Sequence, residues 1–179
     1  MKKKLDEIVE AQFGANVSGK TEGAYPFVQG RDFGAGGEYL GLEPLYVDES
    51  ALRYTRVLRK GDILFATKGK LFATVWEGQI LNTVASATFL VLKVTDKNVL
   101  QEYLAMYLNS SNAKKYYDLH VKAATVNHIG KKQLELLEIE IPSLEKQKLL
   151  VEVHKLITEE KKLTTELLTK KEKILNYLI

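Results

Sequence analysis

The sequence predicts an α/β fold of α+β character, with a mixed-sheet domain over residues 1–142 and one long coiled-coil helix over residues 143–179. Two observations give this division. Ten of the 12 glycines fall within the first 70 residues, between short β-branched and aromatic runs, as expected of many turns and short strands. Beyond Pro142 the chain contains neither Gly nor Pro and has helical spacing. A chain of 179 residues, 45% of them apolar, can bury one core with an extension attached.

The first segment, LDEIVE, has helical spacing, because Leu5, Ile8 and Val9 would fall on one side of a helix. The next segment, GANVSGKT at residues 14–21, matches the phosphate-loop pattern G-x-x-x-x-G-K-[ST]. Such a loop binds phosphate when a strand precedes it and a helix follows it, so that N–H groups converge on the phosphate oxygens. Here a helical segment precedes the motif, and Gly23 and Pro26 disfavour a helix after it. We therefore interpret the motif as a glycine-rich turn with one exposed lysine.

The middle of the domain is predicted to alternate strands and helices. DILFAT and LFATVW form a hairpin around Lys68, Gly69 and Lys70, whose glycine can take a positive φ. SATFLVLKV is typical of a buried strand, and Asp96 would cap the helix NVLQEYLAMYLNS that follows. NAKKYYDLH predicts a second helix, and KKQLELLEIEIP predicts a short helix and then a strand that ends at Pro142. Mixed strand pairing is expected because long crossover helices are few.

The C-terminal helix has the alternating spacing of four and three residues that marks a coiled-coil seam. Seven of the nine seam positions are apolar or aromatic; the nine are Leu149, Val153, Leu156, Glu160, Leu163, Leu167, Lys170, Ile174 and Tyr177. The register one residue later has only five apolar positions. A helix this long and thin is not stable alone and needs a partner helix.

An antiparallel partner suits this seam. One register pairs Val153 with Tyr177, Leu156 with Ile174, Glu160 with Lys170 and Leu163 with Leu167. Both polar seam residues then share one layer with opposite charges, and the pair is self-complementary, as a two-fold homodimer requires. The alternatives are that the helix packs on another protein, or that the two charged residues extend into solvent.

Composition excludes several kinds of site. The net charge is only +3, but residues 53–70 contain six basic residues (Arg53, Arg56, Arg59, Lys60, Lys68 and Lys70) and one acidic residue. That stretch is either a solvated basic face or a nucleic-acid contact. There is no cysteine, and the three histidines lack metal-site spacing, so no metal is expected. No signal sequence or 18-residue apolar run occurs, so the expected location is the cytoplasm, with no membrane partner.

Several stretches taken in order carry a family resemblance. They are SGKT, YPFVQGRDF, GDILFATKGK, NTVASATFLVLKV, EYLAMYLNSSNAKKYY, ATVNHIGKKQL and LEIEIPSLEKQKLLVEV, followed by a long helix. Together they resemble the DNA specificity (S) subunit of type I restriction-modification systems, over nearly the whole chain. The I-P-x-L-E-x-Q passage is the most telling part. Members of that family usually carry two target recognition domains, each followed by a long helix, and the two helices lie antiparallel.

The resemblance implies a half-subunit with a single target recognition domain. It would dimerise to read a bipartite, inverted site on double-stranded DNA and would dock methyltransferase subunits, with a restriction subunit as a further partner. A fragment of a longer protein would pair with a different helix. S-adenosylmethionine is expected on the methyltransferase subunit, so no cofactor is expected here. The sequence itself contains neither an N-P-P-[YF]-type site nor a nuclease-like set of carboxylates, so it is not expected to be an enzyme.

Basic and amide side chains in predicted loops are the candidate DNA contacts. Basic residues would bind phosphates, and side chains with two-point donor and acceptor geometry would bind base edges. The candidates are Lys20, Gln29, Arg31, Arg53, Arg56, Lys68, Lys70, Asn82, Asn127 and His128. The main alternative function is a non-catalytic coiled-coil scaffold whose α/β head binds a protein, and a third is a nucleotide hydrolase built on GANVSGKT.

Overall fold

The computed structural model describes residues 1–34, 36–53, 55–121 and 128–178. Within these residues, nine strands form three sheets: β1 (Lys2–Lys4), β2 (Val9–Phe13), β3 (Tyr25–Val28), β4 (Leu45–Val47), β5 (Ile63–Ala66), β6 (Ala73–Val75), β7 (Val84–Ala85), β8 (Phe89–Val94) and β9 (Glu138–Glu140). The strand orders are β2-β8-β5-β6, β4-β3-β7 and β1-β9. All pairings are antiparallel except β3 with β7, so the predicted mixed pairing is confirmed in the three-stranded sheet.

Four α-helices and three 3-10 helices complete the part of the chain that the structure describes. The α-helices are α1 (Gln101–Leu108), α2 (Ser111–Val121), α3 (Lys131–Glu135) and α4 (Leu144–Leu178), and the 3-10 helices are Leu5–Glu7, Gly30–Asp32 and Glu49–Arg53. The long C-terminal helix is thus confirmed. Within the described ranges, no helix combines the length and the apolar character that crossing a membrane would need.

The four-stranded sheet is buried on both faces because alternate residues of its strands serve different clusters. In β5, Ile63 and Phe65 pack with α1 and α2, whereas Leu64 and Ala66 face an aromatic cluster. That second cluster contains Phe33, Phe72, Trp76 and Phe89. All four residues of β5 are buried, as a strand covered on both sides should be.

The predicted N-terminal helix is wrong. Only Leu5–Glu7 forms a 3-10 turn, and the chain then enters β2, which pairs with β8 over five residues. Leu5, Ile8 and Val9 are all buried as the spacing suggested. Their spacing also fits a single tight turn leading into a strand, and the backbone hydrogen bonds offered by β8 decide between the two conformations.

The predicted cap of α1 is also wrong. Asp96 lies five residues before Gln101, the first residue of α1, and its carboxylate accepts hydrogen bonds from the Asn98 N–H and the Lys3 ammonium. The hydrogen bond from Lys3 and, to a smaller extent, that from Asn98 lower the pKa of Asp96 below its ordinary value of 3.8. Leu100 occupies the N-cap position instead, without a side-chain oxygen of its own.

Helix α4 supplies the missing cap from another part of the chain. The Gln147 side chain accepts from the Leu100 N–H at 2.9 Å and donates to the carbonyls of Asn98 at 2.7 Å and Pro142 at 2.9 Å. Gln147 is fully buried, and Val151, one turn later, is also buried. Every described residue of α4 after Val151 is exposed. We call the contact of Gln147 and Val151 with the domain the helix root.

Candidate nucleic-acid interface

The β5–β6 hairpin carries two lysines at its tip, as the sequence predicted. Gly69 has φ +70°, a left-handed conformation that tightens the turn between Lys68 and Lys70. Both lysines are exposed, and neither forms an ion pair with any of the described carboxylates. Two unneutralised positive charges therefore stand at this tip.

His128 lies beside the hairpin tip. Its segment forms a bridge with Lys68, and its Nδ1 donates to the Thr67 carbonyl at 2.9 Å. The Ile129 N–H donates to the same carbonyl at 3.1 Å. With its proton on Nδ1, a neutral imidazole keeps Nε2 as a hydrogen-bond acceptor. Asn127, the preceding candidate, lies outside the described residues.

A cleft of about 420 Å³ opens next to the tip. Residues 15–19 and 86–88, which pair with each other through Ala15 and Ser86, line it together with Gln29 and Lys68. The Gln29 N–H donates to Asp32 Oδ2 at 2.7 Å, which fixes the start of the 3-10 helix Gly30–Asp32. The cleft thus combines an amide, a cation and a turn with two hydroxyls, Ser86 and Thr88.

A second cleft, of about 270 Å³, shares Lys68 and Thr88 with the first. Gly30, Phe33, Lys70 and Phe72 also line it, so its floor is aromatic and its rim is basic. Lys68 stands between the two clefts. We call the two clefts and the hairpin tip the tip surface.

The tip surface and the helix root lie beyond opposite ends of strand β8. Thr88 of the clefts precedes β8, and Asn98 of the root follows it. The six residues of β8 separate the two by roughly 20 Å, at about 3.3 Å per residue. From the root, α4 runs along α1 and β6, since His154 and Lys155 line a cleft of about 380 Å³ together with Asn109 and residues 73–75.

The motif GANVSGKT forms part of the first cleft and has no phosphate-loop geometry. The Ala15 N–H donates to Ala85 and the Gly14 N–H to Phe89, so the loop is tied to a neighbouring sheet. A side chain at residue 14 would collide with backbone, because its Cβ would lie 2.2 Å from the Ala85 carbonyl oxygen. Beyond the motif the chain enters β3 and not a helix, and Lys20 pairs with Asp48 on the surface.

The other predicted contacts are dispersed. Arg31 lies beside the second cleft, and its Nε is 3.5 Å from Asp32 Oδ1. That oxygen is buried and has no hydrogen-bond partner among the described residues. Arg53 is exposed at the end of the 3-10 helix Glu49–Arg53. Asn82, with φ 55°, precedes β7, whereas cleft residue Ser86 follows it.

Arg56 has a structural partner. Its guanidinium donates to both oxygens of Asp62, at 2.7 and 2.9 Å, and Asp62 is almost completely buried. The Arg59 N–H also donates to this carboxylate, at 2.8 Å. Arg56 therefore neutralises a buried charge within the domain, and its candidate role in DNA contact stays a prediction.

The exposed seam of α4 faces away from the domain. At about 100° per residue, the seam residues lie on the side of the helix opposite Gln147 and Val151. Leu149 is 64% exposed and Tyr177 is 90% exposed, so the apolar stripe is open along the whole helix. The 35 residues of α4 span about 52 Å at about 1.5 Å per residue.

The family model of the type I restriction modification DNA specificity domain matches residues 1–174. The chain belongs to this family. The predicted resemblance is thereby confirmed. Comparison with curated proteins gave no match.

Solved structures of specificity subunits share this fold. A chain from a study of complex assembly and conformational transition of the type I R-M system aligns with TM-score 0.73 and 22% identity, over 99% of this chain and 43% of that one. The HsdS subunit from Thermoanaerobacter tengcongensis aligns with TM-score 0.63 and 22% identity, over 89% and 37%. The S subunit from M. genitalium aligns with TM-score 0.56 and 15% identity, over 89% and 39%. This specificity domain thus spans about two fifths of the length of these chains.

Buried tyrosines stabilise the domain as neutral hydrogen-bond donors. Burial, with smaller contributions from Tyr107 and Glu140, raises the pKa of Tyr103 to about 12, and its hydroxyl donates to the Glu140 carbonyl at 2.7 Å. Burial also raises the pKa of Tyr117, which donates to the Leu108 carbonyl at 2.9 Å. Both hydroxyls stay protonated at physiological pH, so the contacts between α1, α2 and the chain before α4 do not titrate there.

Sequence reasoning missed two parts of this arrangement. The polar wall of the first cleft, which includes Asn16, Ser18 and Thr88, was not identified as a site. Its only signal was the motif GANVSGKT, which resembles a phosphate loop. Gln147 was noticed only as a letter of I-P-x-L-E-x-Q. Its role depends on Asn98 and Leu100, more than 45 residues away in sequence.

Proposed function

We propose that this chain is the sequence-recognition half of a type I restriction-modification specificity subunit, and that its tip surface binds one half of a split site on duplex DNA. The observation that carries the proposal is the pair of exposed, unneutralised lysines beside an amide-lined cleft, in a domain of the DNA specificity family. A scaffold head would not need this concentration of charge and amide groups on one surface.

The residues divide by chemistry. Lys68 and Lys70 contact phosphates, which position the domain without selecting sequence. Gln29 offers a donor and an acceptor together, the two-point pattern that matches the N6 and N7 edge of adenine. His128 and Asn127 would be further base contacts, and Lys20, Arg31 and Arg53 would contact phosphates on either side. Arg56 and Asn82 are the weakest candidates, because one pairs with Asp62 and the other lies at the far end of β7.

The long helix joins two copies as an antiparallel homodimer in the register that pairs Glu160 with Lys170 and Leu163 with Leu167. The direction of the open seam supports this assembly, because a partner helix can lie along it without meeting the domain. The two domains then lie near opposite ends of a helix pair of about 52 Å, roughly one and a half turns of DNA at about 34–36 Å per turn. Such a dimer would bind the same half-site twice, in inverted orientation.

A methyltransferase subunit would dock along the same helices. Ile157, Leu168 and Leu175 lie about 80–100° around α4 from the seam at about 100° per residue, outside the contact of a two-helix pair. Each is exposed, at 43%, 54% and 58% respectively. An apolar helix from a methyltransferase subunit fits this second stripe, and S-adenosylmethionine, methyl transfer and any cleavage belong to such partners. A protein with this function would have to lie in the cytoplasm, where it can reach the chromosome.

Selection from a random DNA library tests the proposal. The chain, with a methyltransferase partner from the same system, should enrich two inverted copies of one short sequence at a fixed spacing. Methylation mapping in cells that carry the system should return the same site. Failure of the chain to retain DNA at low salt, with or without the methyltransferase, would favour the scaffold alternative.

A further inference from the structure

We propose that Gln147 is a positioning residue that sets the distance between the two DNA half-sites, by fixing the direction of α4 relative to the domain. The inference rests on the proposed function for its DNA readout, but its geometric part concerns this chain alone. The distance between the half-sites would then depend on the helix root as well as on the length of α4.

The Gln147 side chain joins three segments of the chain by hydrogen bonds. Its carbonyl oxygen accepts from the N–H of Leu100, the N-cap residue of α1, and its amide donates to Asn98 in the loop after β8 and to Pro142 before α4. Every hydrogen-bonding atom of the side chain is used on backbone groups, and the side chain is fully buried. Loss of this side chain would leave backbone groups at the joint without their hydrogen-bond partners, which is costly where they are buried.

Few other contacts fix this joint. Val151 packs on the domain one turn later, and Leu150 is half-buried against the same core. The Tyr103 hydroxyl binds the Glu140 carbonyl, which holds β9 but not the helix itself. All described residues of α4 from Glu152 onward are exposed, with His154 and Lys155 bordering a cleft beside α1 and β6, so the buried contacts that set the direction of the helix lie within about two turns.

A small change at the root has a large effect on spacing. The tip surface lies roughly 20 Å from the root along β8, at about 3.3 Å per residue. A tilt of about 10° would therefore move the tip surface by about 3.5 Å, which is one base-pair step of about 3.4 Å. Two-fold symmetry applies the same displacement to both domains, so the preferred spacer would change by up to about two base pairs.

The DNA test selects spacers with the half-sites held constant. Wild type should enrich one spacer length. Gln147→Met keeps the size of the side chain but removes all three hydrogen bonds, and it should spread the selection over neighbouring lengths while the half-site sequence stays unchanged. Gln133→Met is the matched control, because the Gln133 amide oxygen accepts from the Gly130 N–H at 2.8 Å in α3, away from the root. It should keep the wild-type spacer.

A second measurement needs no DNA. The chain has no cysteine, so Leu119→Cys and Lys162→Cys place spin labels on α2 and α4 without background. Labelled chains diluted in unlabelled protein report the distance within one chain by pulsed electron resonance. We expect a narrow distribution with Gln147, and a broader or displaced one with Gln147→Met. If Gln147→Met does not fold, Gln147→Asn replaces it in the distance measurement, because the shorter side chain keeps an amide but cannot reach all three partners.

The outcomes separate the two proposals. An unchanged spacer and an unchanged distance distribution in the Gln147 variants would overturn the inference, whatever the wild type binds. A wild type that selects no DNA would overturn the proposed function, and the distance measurement alone would then decide whether Gln147 fixes the root.

Discussion

Removal of the two lysines at the hairpin tip should weaken DNA binding in a salt-dependent way. Lys68 and Lys70 are exposed and form no ion pair within the described chain, so each is free to neutralise one phosphate. Each phosphate contact contributes about −0.9 to the slope of log K against log salt, so Lys68→Ala, Lys70→Ala should flatten the slope by about 1.8. If the effect vanishes near 1 M salt, affinity falls about 30-fold at about 0.15 M and about 200-fold at about 0.05 M.

Fluorescence anisotropy with a labelled duplex of about 12 base pairs isolates one domain, because such a duplex is about 41 Å long at about 3.4 Å per base pair and cannot span the dimer. Lys2→Ala, Lys97→Ala is the charge-matched control, since both lysines are exposed at the root end of the domain. The control should keep the wild-type slope. Equal slopes for the tip variant and wild type would refute the assignment of phosphate contact to the hairpin tip.

Three further outcomes are expected. Leu163→Cys, Leu167→Cys should form a disulfide-linked dimer under oxidising conditions on denaturing gels, and either single variant far less; no crosslink would exclude the proposed register. Arg56→Ala should lower the free energy of unfolding, measured by urea titration, by about 2–3 kcal/mol. The loss is smaller than for a fully buried pair because the Arg56 side chain is 29% exposed. A change below about 0.5 kcal/mol would contradict the buried-pair argument. Asp96→Asn should lower the free energy of unfolding of the domain above pH 3.8, and the difference from wild type should disappear as the pH falls through the lowered folded-state pKa of Asp96. A difference in stability that does not depend on pH would assign the effect to packing.

Local patterns predicted the elements whose residues lie next to each other in sequence. DILFAT and LFATVW gave the β5–β6 hairpin because a glycine with positive φ separates two strand-like runs. The glycine-free, proline-free tail gave α4, since nothing in it interrupts helical hydrogen bonding. LDEIVE gave the wrong element because the same apolar spacing fits a helix or a turn before a strand, and the choice depends on β8, about 80 residues later.

The site shows the same division. Sequence indicated that Lys68, Lys70, Gln29 and His128 could contact DNA, but gave no reason for Gln29 to lie beside the hairpin tip. Nor could it separate the structural arginine from the free lysines, since Arg56 and Lys68 belong to one basic stretch. The bidentate contact with buried Asp62 distinguishes Arg56.

The sequence by itself determined the family, the long C-terminal helix and the apolar seam along it, because periodicity and motif order are local properties of a chain. Only the tertiary structure decided which loops form the two clefts, which cation is already neutralised, and which side of α4 faces the domain. Those features depend on distances between segments far apart in sequence. Such distances follow from how the sheets and helices pack. The hydrogen bonds of Gln147 show this for α4, which they hold to the start of α1 and to the loop after β8.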